Sequence, residues 1–510
     1  MQTTNLAVTD IFNKTNFLKL LLLVSIAFFL LTLLNREIGT DDGWFAEQSY
    51  WFAKDGYVHS ELFRGMNDIE DRHLAYHRLH IWQGAAAIKL FGWSAYAFKS
   101  IILLYFFALV FISYFFIRKN YLFSTQLEYI VFYTFIFSYS ILAKLAFSYR
   151  PDVVVMLFGF ISFCLIFPTK DHEVKHTNAM LAGIFCGLAV LTHLNGIIFI
   201  ISGAIVLLAI KNWRAFWYFS ITSFFVSLLY FSIIHNTSDL LLYLKQMKQN
   251  PALSEKDFSI WGSLLKLLLS YKAYFHKGSD ASYTLLIIYV IWSQWQNIKQ
   301  NYITRFTLIY FISIAVSLAL VSPGFKSLYL VYHAPYAFLL MTLLYKSSIT
   351  QPAEHKKAYI LLLTLFLLTQ WGENFFLYRK NTPKIPELHS MVSNSIGMHR
   401  GDRIVAPIIF VFDQMENFNI QSFYVYKVMS SQKTFNLKKD FFDVASKDHR
   451  KYIILMDEHI HDLGIDKLNT GERFGEYAYA GKYGPYHVFS HSNLVRPAIQ
   501  SRQQQKLNAL

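Results

Sequence analysis

Asp41 and Asp42 stand side by side in the stretch 36–56, REIGTDDGWFAEQSYWFAKDG, directly after the first long apolar run of the chain. An ionised carboxylate at the mouth of a membrane segment is costly to keep there, so the pair marks a candidate functional site. Either carboxylate can take a proton from an acceptor hydroxyl or ligate a divalent cation through hard oxygen. The structural alternative is a cap, because Asp at the start of an amphipathic helix also satisfies its first N–H groups near the positive end of the dipole.

Two further stretches carry chemistry. In Ser148-Tyr149-Arg150-Pro151-Asp152, with Lys144 shortly before, Arg150 offers forked donors to a phosphate and Asp152 can orient a base or hold a metal. The plainer reading is an interfacial arginine with Pro151 opening the next helix. In Ser322-Pro323-x-x-Lys326-x-x-Tyr329-x-x-Tyr332-x-x-Pro335, a lysine opens an apolar segment and tyrosines follow at helical spacing. With Arg36, Lys144 and Arg150, Lys326 makes a basic niche for an anionic lipid headgroup, or else a lysine snorkelling above an aromatic belt. His73, His77 and His80 have roughly helical spacing and suit either a metal or, beside Arg78, an interfacial helix. His193-Leu194-Asn195-Gly196 reads as a tight structural turn.

Positioning these groups falls to apolar segments. The chain has 510 residues, 54% apolar, 18% aromatic and 16% charged, which departs from soluble averages towards a polytopic membrane protein. Runs able to cross about 30 Å of hydrocarbon, or nearly so, occur at 17–34, 101–117, 127–147, 153–167, 180–192, 197–210, 215–235, 283–295, 306–321, 328–345 and 358–371, eleven in all. No small-residue cleavage site follows the first run, so it reads as a retained span rather than a signal peptide. The net charge of +14 is read as cytoplasmic loops and lipid contacts rather than nucleic acid. Cys164 and Cys186 both fall in apolar runs and indicate neither a disulfide framework nor a zinc site.

Basic loops set the orientation. Arg118 and Lys119, Lys170 and Lys175, Lys211 and Arg214, Lys299 and Arg305, and Lys346, Lys356 and Lys357 fall on alternate loops, on the side of Lys14. That side, with the N-terminus, is assigned to the cytoplasm. The acidic pair, the 148–152 turn, the 193–196 turn, the long loop 236–282, the 322–326 link and everything after Arg379 fall outside.

The loop 35–97 holds two amphipathic stretches, 44–53 and 79–91, and the loop 236–282 holds two more, 240–248 and 261–274, read as helices lying in the interface. Residues 379–499 change to a polar composition, with candidate strands at 403–412 and 452–456 and a hairpin across 477–490. The expected fold is mainly α: a transmembrane domain over 1–378 with about eleven helices, a small extracytoplasmic α/β domain over 379–499, and a disordered tail over 500–510.

The chain resembles GT-C glycosyltransferases of the protein-mannosyltransferase and lipid A aminoarabinose-transferase type. Asp41-Asp42-Gly43-Trp44-Phe45-Ala46-Glu47 is similar to that family's Asp-Glu-x-x-Tyr-Ala motif, and Asp55-Gly56 follows it. Lys89-Leu90-Phe91-Gly92 matches the family's Lys-Leu-Phe-Gly before the second span. Arg150 and Asp152 fall where relatives carry an acidic residue, and Lys326, Tyr329 and Pro335 fit the approach to a late span. Two departures stand out: relatives often carry Lys-Pro-Pro-Leu where this chain has Tyr76-His77-Arg78-Leu79, which leaves Arg78 in the place of that lysine, and the resemblance does not extend to the C-terminal domain.

The resemblance implies inverting transfer of a sugar from a polyprenyl phosphate to a lipid, glycan or protein acceptor, outside a bacterial cytoplasmic (inner) membrane. It gives Asp41 the role of base, with Asp42 and Asp152 beside it. Arg36, Arg78, Lys144, Arg150, Lys326 and Tyr329 are the candidate contacts to the lipid phosphate. A divalent cation at Asp41, Asp42 and Asp152 stays open. A transporter or flippase of lipid-linked sugars, or a glycan polymerase or ligase, are the competing readings. The acids sit at span ends, whereas transporters concentrate ionisable groups near the bilayer midplane.

Overall fold

The computed structural model describes residues 14–34, 36, 38–168, 173–248, 260–322, 326–379, 385–431 and 435–494. Lys170, Pro323 and the expected tail 500–510 lie outside the described residues. The apolar runs form helices in chain order. After α1 (Lys14–Leu33), the first loop contributes α2 (Thr40–Asp55) and α3 (Arg78–Phe91), and α4 (Ala95–Lys119) follows. Then come α5 (Gln126–Ser138), α6 (Ser140–Ala146), α7 (Asp152–Ile166), α8 (His176–Thr192), α9 (Ile197–Ala209), α10 (Trp213–Leu228) and α11 (Thr237–Lys248). The later helices of this region include Ile260–Leu269, overlapping the expected stretch 261–274, and the longer Gly278–Ser293, Tyr302–Val321, Ala334–Leu343 and Ala353–Arg379.

The chain is an integral membrane protein, and among the described residues fewer helices than the eleven expected runs are long and apolar enough to cross a membrane. By length and composition four described helices can cross a membrane, namely α1, α4, Tyr302–Val321 and Ala353–Arg379, or five if one bent pair is a single span. That pair is α5 and α6, which the sequence reads as one span over 127–147 and which turns by 65°. The expected spans at 153–167, 180–192, 197–210 and 328–345 are shorter apolar helices, the last opening with a 3-10 turn at Ser327–His333.

The bend has a definite cause. Tyr139 leaves helical geometry (φ −65°, ψ 111°), which frees backbone groups inside an apolar environment. Such groups need partners from within the protein. Gln370 Oε1 accepts from the Ser140 N–H at 2.9 Å and from its hydroxyl at 2.7 Å, while Asn374 Nδ2 donates to the Ser138 carbonyl at 2.9 Å. Gln370 and Asn374 lie four residues apart on one face of the last long helix, which therefore splints the break.

The amphipathic stretches 44–53 and 79–91 are the helices α2 and α3, and 240–248 lies within α11. Within the first loop, Glu47 accepts from Ser60 Oγ (2.6 Å), Glu61 N (2.7 Å), Leu62 N (3.1 Å) and Trp51 Nε1 (3.2 Å), folding residues 57–63 back onto α2. α2 and α3 cross closely at Gly84, where an added Cβ would collide with the Tyr149 and Ser49 hydroxyls.

Residues 385–494 contain a six-stranded mixed sheet of order β2-β1-β3-β6-β5-β4, with β1 (Arg403–Ala406), β2 (Asn419–Ser422), β3 (Tyr452–Met456), β4 (Arg473–Phe474), β5 (Tyr477–Tyr483) and β6 (Tyr486–His491). β2, β1 and β3 are parallel, and the rest pair antiparallel. The expected strand at 452–456 and hairpin across 477–490 are present; the expected strand 403–412 stops at Ala406, because Pro407 lacks an N–H for the ladder and starts a 3-10 turn. This sheet docks on the first loop. Ser422 N donates to Leu62 O (2.9 Å), Gln421 Nε2 to Arg64 O (2.9 Å), Asn419 Nδ2 to Glu61 Oε2 (3.0 Å), and Trp93 Nε1 to Phe412 O (2.9 Å).

Candidate active site

Gly39 caps the start of α2, and Asp42 at the third helical position reaches back to accept the Gly39 N–H at 2.8 Å. Its other oxygen accepts the Tyr149 N–H at 2.6 Å, and Lys99 Nζ from α4 stands 3.8 Å away. Asp42 is thus a buried staple between the first loop and the 148–152 turn, and the capping alternative applies to it. Burial pushes its carboxyl above the usual carboxylate range, against the opposing pull of Lys99 and the two N–H donors.

Asp41, one residue earlier, points the other way. Its side chain is 44% exposed and is ion-paired with Arg150. Arg150 Nε donates to Asp152 Oδ2 at 2.9 Å, and the Tyr332 hydroxyl donates to Asp152 Oδ1 at 2.9 Å. Tyr329 is buried and stacked on Tyr332, with ring centroids 5.9 Å apart. Three distant stretches of sequence therefore meet: Asp41 from the first loop, Arg150 and Asp152 from the turn before α7, and Tyr329 and Tyr332 from the 3-10 turn before Ala334.

The remaining candidates are placed as follows. Arg36 donates to the carbonyls of Thr32 (3.1 Å), Ala143 (3.4 Å) and Lys144, tying the end of α1 to the end of α6. The side chains of Lys144 and Lys326 are exposed. Arg78 is not part of the cluster. It is fully buried between the rings of Tyr76 and Tyr230, each 4.7 Å away, and donates to the Tyr230 and Leu74 carbonyls, so its guanidinium is committed to holding α3 against the end of α10.

No group of His, Cys, Asp and Glu among the described residues converges to hold a metal ion. At the acidic positions the reason is electrostatic: the Arg150 guanidinium lies between Asp41 and Asp152, and Asp42 faces inwards. The histidines diverge as well. His73 stacks on Trp44, His77 on His193 at 4.3 Å and His80 on Tyr149 at 4.3 Å. Burial pushes His73 and His193 down to about 4 and His80 down to about 3, so these imidazoles are neutral at physiological pH.

Several contributors escape a reading by motif. Lys99 lies within the apolar helix α4, yet its ammonium faces Asp42. Tyr149 belongs to the quoted turn, but its role is to bond Ser49 (2.9 Å) and the His80 carbonyl (3.0 Å). Tyr332 stands in the third motif at the right spacing, and only the fold shows that Asp152 is its acceptor.

No family model and no curated protein sequence matches the chain. Solved structures do match in three dimensions. ArnT from Cupriavidus metallidurans in its apo state superposes with a TM-score of 0.59 at 12% identity over 95% of this chain and 99% of that one. The same protein bound to undecaprenyl phosphate gives 0.58 at 12% identity over 95% and 100%. The oligosaccharyltransferase of Archaeoglobus fulgidus, tethered to an acceptor peptide, gives 0.52 at 11% identity over 88% and 70%. At these identities the likeness is one of fold. The chain has the GT-C fold that its motifs resemble.

Proposed function

We propose that this chain is a membrane glycosyltransferase that passes a sugar from a polyprenyl phosphate to a lipid, glycan or protein acceptor on the extracytoplasmic side of a bacterial inner membrane. The observation that carries this reading is the bridging of Asp41 and Asp152 by Arg150. It occurs in a fold shared with ArnT, which has been solved with undecaprenyl phosphate bound. The proposal includes the eleven-span topology with a cytoplasmic N-terminus, and residues 379–499 as an outer domain facing the acceptor.

An acceptor hydroxyl is a poor nucleophile at neutral pH, and a carboxylate within hydrogen-bond reach activates it. Asp41, partly exposed at the start of α2, takes that proton as the acceptor oxygen bonds to the anomeric carbon. The bond from that carbon to the phosphate oxygen breaks, and the phosphate leaves with the electron pair. Attack from the face opposite the phosphate inverts the anomeric centre. Charge grows on the departing phosphate, and a guanidinium fork suits it. Arg150 therefore exchanges Asp41 for the phosphate when donor binds, which frees Asp41 to act as base. Asp152, fixed by Tyr332, keeps Arg150 in place, and Arg36, Lys144, Lys326 and Tyr329 line the approach of the lipid phosphate.

The decisive assay incubates purified protein with polyprenyl monophosphate and diphosphate sugars and identifies the products by mass. Consumption of a monophosphate donor by the wild type, with none by a folded Asp41→Asn variant, is the expected result. Consumption of diphosphate donors alone would instead indicate a polymerase or ligase. Flux of an intact lipid-linked sugar across vesicles, unaffected by Asp41→Asn, would indicate transport and overturn the proposal.

A further inference from the structure

Next to the Asp41–Arg150–Asp152 cluster lies a shell of buried polar groups, several of them without partners. Asp41, Trp44, Phe45 and Gln48 share one face of α2, at helical spacings of three, four and seven. Among the described residues, Trp44 Nε1, both amide atoms of Gln48 and His77 Nδ1 are buried with no hydrogen-bond partner, while beside them the His80 ring has only a loose contact with the Tyr149 backbone and the Asn195 amide one with the Tyr329 hydroxyl. Gln48, His80 and Asn195 are 1%, 0% and 4% exposed. Ring contacts make the shell continuous: Trp44 to Phe45 (5.6 Å), Phe45 to His77 (5.2 Å) and His80 (5.3 Å), and His77 to His193 (4.3 Å). His80 stacks at 4.3 Å on Tyr149, the chain neighbour of Arg150, which joins the shell to the cluster.

Buried donors and acceptors are almost always paired, so several orphans side by side call for an explanation. These share two features. They are neutral, and they mix donors with acceptors: an indole N–H, a carboxamide and an uncharged imidazole. His193 accepts the Asn195 N–H at its Nδ1 (2.9 Å), which leaves the proton on Nε2 as a further donor. Flat aromatic faces of Trp44, Phe45 and His77 alternate with them. A ligand that answers this pattern is uncharged, offers hydroxyls that both donate and accept, and has apolar C–H faces.

We infer that Trp44, Gln48, His77, His80, His193 and Asn195 form the subsite that receives the sugar ring of the lipid-linked donor and selects among sugars. The inference rests on the glycosyl-transfer reading above. It assigns the sugar to neutral hydrogen bonding and leaves the phosphate to Arg150, so the two halves of the donor are separately testable.

The experiment measures binding to the full-length protein in nanodiscs of a bare polyprenyl phosphate and of the same lipid carrying glucose, mannose, galactose or arabinose. The variants are Gln48→Leu and His77→Phe, the second of which keeps the ring stack on His193. Each removes a buried unpartnered polar group, so thermal unfolding should occur no lower than in the wild type; should one fail to fold, the other carries the test. In each, affinity for the preferred sugar-bearing lipid should fall about tenfold, with affinity for the bare lipid unchanged. Equal losses for both lipids, no loss for either, or a rise confined to the acceptor KM would overturn the subsite. If no sugar-bearing lipid binds the wild type better than the bare lipid, the subsite falls while glycosyl transfer stands. A wild type that binds no polyprenyl phosphate at all would remove the glycosyl-transfer reading itself, and this inference with it.

Discussion

The Asp42 carboxylate accepts a hydrogen bond at 2.6 Å from the backbone N–H of Tyr149, 107 residues further along the chain. The adjacent Asp41 makes its ion pair with Arg150 instead. Two neighbouring acids thus separate into a buried staple and a partly exposed reactive candidate, and substitutions should separate them too. Asp42→Ala leaves two backbone N–H groups without their acceptor and removes the opposing charge from Lys99, and should lower stability by about 3 kcal/mol. Asp41→Asn should leave the unfolding midpoint nearly unchanged while reducing kcat by roughly 10²- to 10⁴-fold. Thermal unfolding in detergent, run beside the transfer assay, checks both; a catalytic loss without a stability loss at Asp42 would reverse the assignment.

Arg150 presents two edges of one planar group, with Nε on Asp152 and an Nη on Asp41. A lysine has one ammonium and no fork, so Arg150→Lys is not conservative here. It should weaken binding of polyprenyl phosphate about tenfold, with Asp152 left short of its donor. Tyr332→Phe removes only the 2.9 Å hydroxyl donor to Asp152 and should have a smaller effect of the same kind. Titration with the bare lipid phosphate ranks the two; an effect of Tyr332→Phe larger than that of Arg150→Lys would contradict the bridging geometry.

Glu47 provides a pH signature. Burial raises its carboxyl from 4.5 to about 7, against four donors that favour the charged form. The folded protein therefore holds this proton more tightly than the unfolded chain does. The stability it contributes is fully present below about 4.5 and is lost as pH rises through about 7, on the order of 3 kcal/mol across the window. Glu47→Gln mimics the protonated form: its amide can donate to Ser60 Oγ while its oxygen keeps the N–H donors. The variant should match the wild type at acidic pH and unfold at a higher temperature than the wild type above pH 8. Destabilisation by the glutamine at every pH would show that Glu47 acts as a fixed anion.

Much of this arrangement is legible in the sequence, because apolar length and basic loops report on membrane placement while acids and cations near span ends stand out against it. Asp41, Arg150, Asp152 and Tyr329 are visible for that reason. Partner choice is not. Arg78 occupies the place of a family lysine, yet its guanidinium turns to the Tyr230 carbonyl, a contact 152 residues away in sequence. Gln370 and Asn374 look like ordinary polar residues of a long helix, and the break at Tyr139 that they splint leaves no mark in hydropathy, since both halves are apolar. Period-based reading also passes over β2 and β4, at four and two residues too short to show an alternation.

The docking of the C-terminal sheet on α2 supplies the last prediction. Gly43 follows the acidic pair directly, and a Cβ there would sit 2.6 Å from Ile408 Cγ2 and 3.1 Å from the Ile408 carbonyl. A methyl group in that space must push the 408–412 segment away from α2 or rotate α2 itself, and cores resist such overpacking at about 1–3 kcal/mol. The same segment is anchored by Trp93 on the Phe412 carbonyl at 2.9 Å, so the displacement would be transmitted to Asp41 rather than absorbed. Gly43→Ala should therefore reduce transfer even though glycine to alanine inside a helix ordinarily favours the helix. Ile408→Ala opens a small cavity, and the double variant should recover part of the activity lost by Gly43→Ala. A double-mutant cycle on transfer rate and unfolding temperature measures the coupling. Strict additivity of the two substitutions would show that α2 does not sense the sheet.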